Sequence, residues 1–305
     1  MSNQPKIVFM GSPDFALPTL RALHAHYPVV GVVTQPDRAA GRGRELKPPP
    51  VKRLVQDLGI PLIQPEKLRN PQTMDQLRAW SPDMIVVAAF GQILKQEVLE
   101  LPLYGCLNVH ASLLPRWRGA APINAAILHG DEETGVTIMK MEAGLDTGPI
   151  LSQRSVRITP QETAGSLFER LSASGADLLL DTLPAYLDGE IKPRPQPEEG
   201  ATYAGMLKKE DGQLDFTQPA VELERKVRAF NPWPGTYFDW DGNRLKVHSA
   251  SIGVGEMRAG QRGVYLGLPA VGTSENLLVL GEVQPAGKKP MPGKAFLAGA
   301  RNWAE

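Results

Sequence analysis

The sequence predicts an α/β protein: a doubly wound, mostly parallel Rossmann-like sheet, then a Pro-rich linker, then a small C-terminal β-barrel of the OB-like kind. Three observations carry this. Short apolar, β-branched runs alternate with helical patterns through residues 1–189. Prolines at 193, 195 and 197 then interrupt the pattern. Beyond them, short strand-like runs split by turn signals take over. A chain of 305 residues is long enough for two such domains. The expected division is a catalytic domain over 1–189, a linker over 190–203 and a second domain over 204–305.

The elements follow in order. Lys6 to Met10 (KIVFM) is a short apolar strand closed by Gly11-Ser12-Pro13, and a helix follows near Asp14 to His24. Val29 to Thr34 (VVGVVT) is a second strand. Val51 to Leu58 is a helix that Gly59 stops. Pro61 to Ile63 is a short strand and Gln72 to Trp80 a helix. Met84 to Ala88 (MIVVA) and Cys106 to His110 (CLNVH) are the third and fourth good strands. Val136 to Met141 and Ile150 to Val156 are further strands, candidates for an antiparallel edge. Thr163 to Leu187 carries leucines at helical spacing, so it is a long helix packed on the sheet.

Glu190 to Thr202 has the composition of an extended polyproline segment, hence a semi-rigid spacer. In the second domain Val221 to Phe230 is helical. Thr236 to Trp240, Leu245 to Ala250, Gly263 to Leu268 and Leu277 to Val283 are strands. Asp241-Gly242-Asn243 is a hairpin turn signal.

Composition narrows the function. Thirty-three basic and 33 acidic residues cancel. That balance speaks against a DNA-coating protein and leaves room only for local basic patches. A single cysteine, Cys106, excludes an internal disulfide. The amino-terminal stretch carries no secretory apolar core, and the strongly apolar runs are far too short to span a bilayer. The expectation is a cytoplasmic protein with no membrane partner.

Several chemistries fail on spacing. The turn Gly11-Ser12-Pro13-Asp14-Phe15 lacks the second glycine of a dinucleotide fingerprint, and no phosphate-binding loop motif occurs. Asp146-Thr147-Gly148 matches half of an aspartic protease dyad, with no second copy. The five histidines show no zinc spacing, so no metal is expected. Cys106 and His110 lie on one strand face at about 13 Å, too far apart for a nucleophile–base pair.

Asn108 and His110 are closer, about 6.6 Å apart along the same face. They end an apolar strand, where ligands of open α/β sheets bind. Asp146, between glycines in Gly144-Leu145-Asp146-Thr147-Gly148, is the candidate third member. A hydrogen-bonded core histidine, a capping Asn and a plain Asx-turn are the competing structural explanation. Without a nucleophile or metal, the three suit acyl transfer to an amine. Asn108 donates to the developing oxyanion, His110 donates or carries a proton, and Asp146 orients the imidazole and accepts the amine's proton.

Asn108-Val109-His110 followed by Ser112-Leu113-Leu114-Pro115 and Arg116-Trp117-Arg118-Gly119, with Asp146-Thr147-Gly148, resembles the folate-dependent formyltransferases. Lys208 to Gly212, Arg228 to Pro234 and Pro285 to Lys289 resemble the branch that acts on methionyl-tRNA. The resemblance implies 10-formyltetrahydrofolate as formyl donor and methionyl initiator tRNA as acceptor. It carries Asn108, His110 and Asp146 over as catalytic. It lines the folate pocket with Phe90, Gly91, Ser112, Leu113, Leu114, Pro115, Gly144 and Leu145. Phe216 departs from the pattern, standing where a tryptophan is usual.

Thr34 to Pro50 has no apolar period, and a stretch that long is functional or disordered. It carries Arg38, Arg42, Arg44 and Lys47. A solvated loop explains it without function; with the resemblance it becomes an arm that enters the tRNA acceptor end. Lys288 and Lys289 are candidates for phosphate contact. A monomer is the family expectation. Competing functions are formyl transfer to another amine (a ribonucleotide or amino sugar), hydrolysis of the formyl folate, and non-catalytic RNA binding.

Overall fold

The computed structural model describes residues 4–40 and 45–304. Two compact units emerge: one from residues up to 119, with 134–156 and 168–203, and a second from 120–133, 157–167 and 204 onward.

The first unit begins with β1 (Ile7–Gly11), α1 (Ala16–His26) and β2 (Val29–Val33). Next come β3 (Arg38–Ala40), β4 (Glu45–Lys47), α2 (Pro50–Leu58), β5 (Leu62–Ile63), α3 (Pro71–Trp80), β6 (Met84–Ala88), α4 (Gln96–Leu99), β7 (Cys106–His110) and β8 (Arg118–Gly119). After α5 (Pro122–Leu128), which belongs to the second unit, β9 (Glu133–Lys140), β10 (Ile150–Arg157) and the long α6 (Ala164–Leu187) follow.

The sheet order is β10-β9-β7-β6-β1-β2-β5. β5, β2, β1, β6 and β7 run parallel, and β9 pairs antiparallel with β7. Strands covered on both faces are largely apolar, and β1, β6 and β7 are buried at every position, with Asn108 and His110 of β7 the polar exceptions. On one face Val8, Met10, Ile85, Val87 and Cys106 pack with Met74 and Leu77 of α3. On the other face α6 comes close enough that a Cβ on Gly175 would stand 2.7 Å from Val109 Cγ1. The Ser172 hydroxyl donates to the Phe15 carbonyl at 2.9 Å, and Phe15 meets Phe168 edge-on. The parallel strands bring Gly11, Val33, Ala88 and His110 to one edge of the sheet, where the site lies.

Two features of this unit differ from the sequence reading. The sequence predicts an irregular stretch over 34–50; instead, Arg38 to Ala40 and Glu45 to Lys47 pair as an antiparallel hairpin, Arg38 opposite Lys47. Its strands have three residues each, too few to show a period. The Pro-rich segment does not stand free: Arg194 pairs with Ile150 at the start of β10.

After β11 (Tyr203–Ala204), at the division between the units, the second unit continues through α7 (Ala220–Ala229), β12 (Thr236–Trp240), β13 (Asn243–Gly253), β14 (Arg262–Tyr265), β15 (Leu268–Gly272), β16 (Leu277–Pro285), β17 (Met291–Pro292) and α8 (Gly293–Gly299). Its antiparallel sheet runs β12-β13-β16-β15-β14, with β17 beside β16. The sheet is barrel-like but not closed: among the described residues, end strands β12 and β14 do not pair. Asp241 (φ 51°) and Gly242 (φ 69°) form the two-residue turn between β12 and β13, both in the left-handed region that a type I′ hairpin requires. Phe238, Trp240, Phe296 and Trp303 cluster edge-to-face at the core. Phe216 joins Phe238 edge-on with centroids 5.1 Å apart, so an aromatic core role survives the departure noted above. Helices α5 and α8 were not anticipated; both have seven residues, too short for a clear helical period.

Candidate active site

Asn108 and His110 stand near the end of β7, opposite Met139 and Thr137 of β9. They are 9% and 6% exposed. The Asn108 amide meets no hydrogen-bond partner among the described residues, although it is almost covered. The amide atoms are not among the fully covered polar atoms left without a partner, so the amide is open to a ligand.

His110 is held from two sides. Its Nε2 lies 3.0 Å from the Trp117 carbonyl. A carbonyl only accepts, so Nε2 carries the hydrogen in this arrangement. Nδ1 faces Oδ2 of Asp146 at 3.7 Å. Both ring nitrogens thus face oxygen atoms, one at hydrogen-bond distance and one beyond it. Asp146 itself sits at φ 52°, in the left-handed region, and its Oδ2 accepts the Gly119 backbone N–H at 2.8 Å. The three residues named from the sequence therefore share one site.

The stretch 112–115 forms the adjoining wall. Ser112 is fully buried, and its hydroxyl donates to the Arg116 carbonyl at 2.6 Å. Thr137 is its hub: the hydroxyl donates to the Ser112 carbonyl (2.6 Å) and accepts from the Leu114 N–H (3.1 Å). Gln153 Nε2 donates to the Leu114 carbonyl at 2.8 Å and to Thr137 Oγ1 at 3.0 Å. Thr202 N–H reaches the Pro115 carbonyl at 3.3 Å. Leu113 is half-buried and Leu114 buried.

Phe90 and Gly91 form the turn after β6, with Gly91 at φ 78°. Gln35 Nε2 donates to the Phe90 carbonyl at 3.1 Å, tying this turn to the exit of β2. Gly144 (φ 133°) opens the Asp146 loop, and Leu145 is exposed.

Of the basic residues, Arg38 and Lys47 are exposed and face one another across the hairpin. Like charges placed directly opposite repel unless an anion joins them. The hairpin base is anchored by Lys52 Nζ on Asp37 at 2.7 Å and Gln64 Nε2 on the same carboxylate at 2.8 Å. Those two hydrogen bonds hold the Asp37 carboxyl below the usual carboxylate range. Arg42 and Arg44 lie outside the described residues. Lys288 and Lys289 belong to the second unit and are exposed beyond β16.

Cys106 takes no part in this site. Burial pushes its thiol up to about 12, against a smaller opposing effect of Lys140, so it is a neutral packing group.

The chain matches the family described as "Formyl transferase" over residues 5–183 and "Formyl transferase, C-terminal domain" over 206–301. The chain belongs to the formyl transferase family. A methionyl-tRNA formyltransferase of Myxococcus xanthus (strain DK1622) is 50% identical over 303 residues, covering 97% of this chain and 96% of that protein. Another of that name, from Geobacter sulfurreducens (strain ATCC 51573 / DSM 12127 / PCA), is 47% identical and covers 97% and 94%. Among solved structures, WlaRD, described as a sugar 3N-formyl transferase in the presence of dTDP and 5-N-formyl-THF, superposes with a TM-score of 0.68. At 16% identity over 94% of this chain and 99% of that one, it shows a shared formyl transferase fold. No described helix is long and apolar enough to cross a membrane.

Part of this candidate site carries no sequence signal. The Trp117 carbonyl and the Gly119 N–H are backbone groups and carry no side-chain signature. Thr137 and Gln153 sit on strands that read as ordinary edge strands. Gln196, whose Nε2 donates to the Asp146 carbonyl at 2.8 Å, lies in the Pro-rich segment, which reads as a spacer.

Proposed function

We propose that this protein transfers the formyl group of 10-formyltetrahydrofolate to the α-amine of methionyl initiator tRNA. The observation that carries the acceptor is the near-full-length identity to proteins named methionyl-tRNA formyltransferase. Site geometry supports the chemistry.

The neutral α-amine attacks the formyl carbon, and a C–N bond forms while the carbonyl oxygen becomes an oxyanion. The unpartnered Asn108 amide donates to that oxygen. His110, gripped by the Trp117 carbonyl and facing Asp146, donates to that oxygen or carries a proton beside it. Collapse breaks the bond between formyl carbon and folate N10. The proton shed by the attacking amine passes to the Asp146 side of the pair, and N10 recovers one, so no net proton is consumed. The products are formylmethionyl-tRNA and tetrahydrofolate.

Folate binds against Phe90, Gly91, Ser112, Leu113, Leu114, Pro115, Gly144 and Leu145. The basic stretch 38–47, with Arg38, Arg42, Arg44 and Lys47, is the arm for the tRNA acceptor end, and Lys288 and Lys289 contact phosphate. Functionally, residues 1–189 catalyse, 190–203 connect, and 204–305 hold tRNA. The enzyme works as a cytoplasmic monomer with no metal and no DNA partner.

The test is His110→Ala. It lowers kcat by about 10²–10⁴-fold while leaving tRNA affinity unchanged. Undiminished turnover in the folded variant contradicts the site assignment.

A further inference from the structure

Within residues 192–200 of the Pro-rich segment, Gln196 alone is not exposed. Its Nε2 donates to two carbonyls at once, Asp146 O at 2.8 Å and Gly148 O at 2.7 Å. Its Oε1 accepts from Arg118 Nε at 3.1 Å. The amide cannot be turned over, because arginine only donates and a carbonyl only accepts. The orientation is therefore set on both sides.

These contacts close a ring. The Asp146 carboxylate accepts the Gly119 N–H. Gly119 follows Arg118 in β8, Arg118 reaches Gln196, and Gln196 returns to the Asp146 carbonyl. Asp146 is thus held by its side chain from one strand and by its backbone from the Pro-rich segment. It needs holding, since a non-glycine residue at φ 52° is strained and persists only where its surroundings impose it. Arg118 is 1% exposed, and its two terminal nitrogens make no hydrogen bond; the nearest carboxylate, Glu198 Oε2, stands 3.7 Å from Nη1. Burying a guanidinium is unfavourable, and this one directs its side-chain hydrogen bond to Gln196, so it acts as the backing of the clamp.

We propose that Gln196 is a positioning residue for formyl transfer: from the Pro-rich segment, backed by Arg118, it clamps the Asp146 loop so that the carboxylate faces His110. This makes a segment that reads as a passive spacer part of the catalytic apparatus. The inference rests on the assignment of Asp146 made above.

Two variants test it. Gln196→Met keeps the length and loses every hydrogen bond. Gln196→Glu keeps an acceptor for Arg118 and loses both donors to the loop. Each is assayed with 10-formyltetrahydrofolate and methionyl initiator tRNA for kcat, for the KM of tRNA, for the pH profile of kcat, and for thermal melting. The expected result is a fall in kcat of about ten- to a hundredfold in both, with the tRNA KM within about threefold of the parent. The acidic limb of the kcat profile also moves, because the Asp146 carboxylate no longer faces His110 at its parent distance. A merely structural residue lowers the melting temperature and the active fraction and leaves that limb in place. Folded variants with kcat within about twofold of the parent and an unmoved limb overturn the clamp. Asp146→Asn separates the two claims: if it retains full turnover, the Asp146 assignment has failed; if it is inactive while the Gln196 variants are unimpaired, only the clamp has.

Discussion

His110 Nδ1 lies 3.7 Å from Asp146 Oδ2, one residue at the end of β7 and the other in the loop between β9 and β10. The distance is beyond a hydrogen bond. The opposite side of the ring is already engaged at 3.0 Å by the Trp117 carbonyl. The ring is therefore held on one side, and the Asp146 carboxylate faces its other side across a gap that a small closure brings to hydrogen-bond distance. Asn108 completes the arrangement with an amide that no described protein group occupies.

The first prediction concerns that amide. Asn108→Ala removes the free donor beside the reacting carbonyl and lowers kcat by about 10²–10³-fold. Folate affinity, measured by direct titration, changes little, because the oxyanion exists only in the transition state. A loss confined to folate affinity contradicts the role.

The second concerns the hairpin. Lys47→Ala removes one of two facing cations and weakens tRNA use more than folate use. The salt slope of tRNA binding falls by about one unit for each phosphate no longer neutralised. The parent's own slope is shallow, since few cations line the arm. Arg42→Ala follows the same pattern. An effect on folate alone contradicts the arm.

A third prediction uses acid. The folded Asp37 carboxyl is depressed by its hydrogen bonds to Lys52 and Gln64. Its contribution to stability is thus fully present above the unfolded value near 3.9 and is lost as pH falls through the lower folded value. The difference in Tm between the parent and Asp37→Asn is constant from neutral pH down to about 4 and vanishes below it. A difference that persists in strong acid contradicts the anchoring of the arm by this carboxylate.

The fourth is a control. With its thiol pushed up to about 12, Cys106 resists alkylation in the native state at neutral pH and reacts only on unfolding. Cys106→Val costs less than about 1.5 kcal/mol and leaves kcat in place. Rapid native labelling with loss of turnover contradicts a packing role.

The parts of this protein that were legible in its sequence share a physical cause. β1 and β6 are covered on both faces, so their apolar runs are continuous and unmistakable. Asp241-Gly242 announces its turn because few residues accept a positive φ. Asn108 and His110 stand out because polar side chains interrupt an apolar strand. The rest leaves no such trace. A hairpin with three-residue strands has no period, and the helices α5 and α8 are hardly two turns long. The second grip on His110 is a carbonyl, which every residue possesses. Gln196 is one polar residue in a polar segment, and only the fold shows that it turns inward between two loops.

The most direct test of the account is formylation itself. The protein is mixed with 10-formyltetrahydrofolate and methionyl-tRNA, initiator or elongator, and formylmethionine is measured. The account predicts formylation of the initiator species, with tetrahydrofolate released in equal amount and elongator tRNA left unmodified. Tetrahydrofolate released without formylmethionine on either tRNA contradicts it and makes the site a hydrolase.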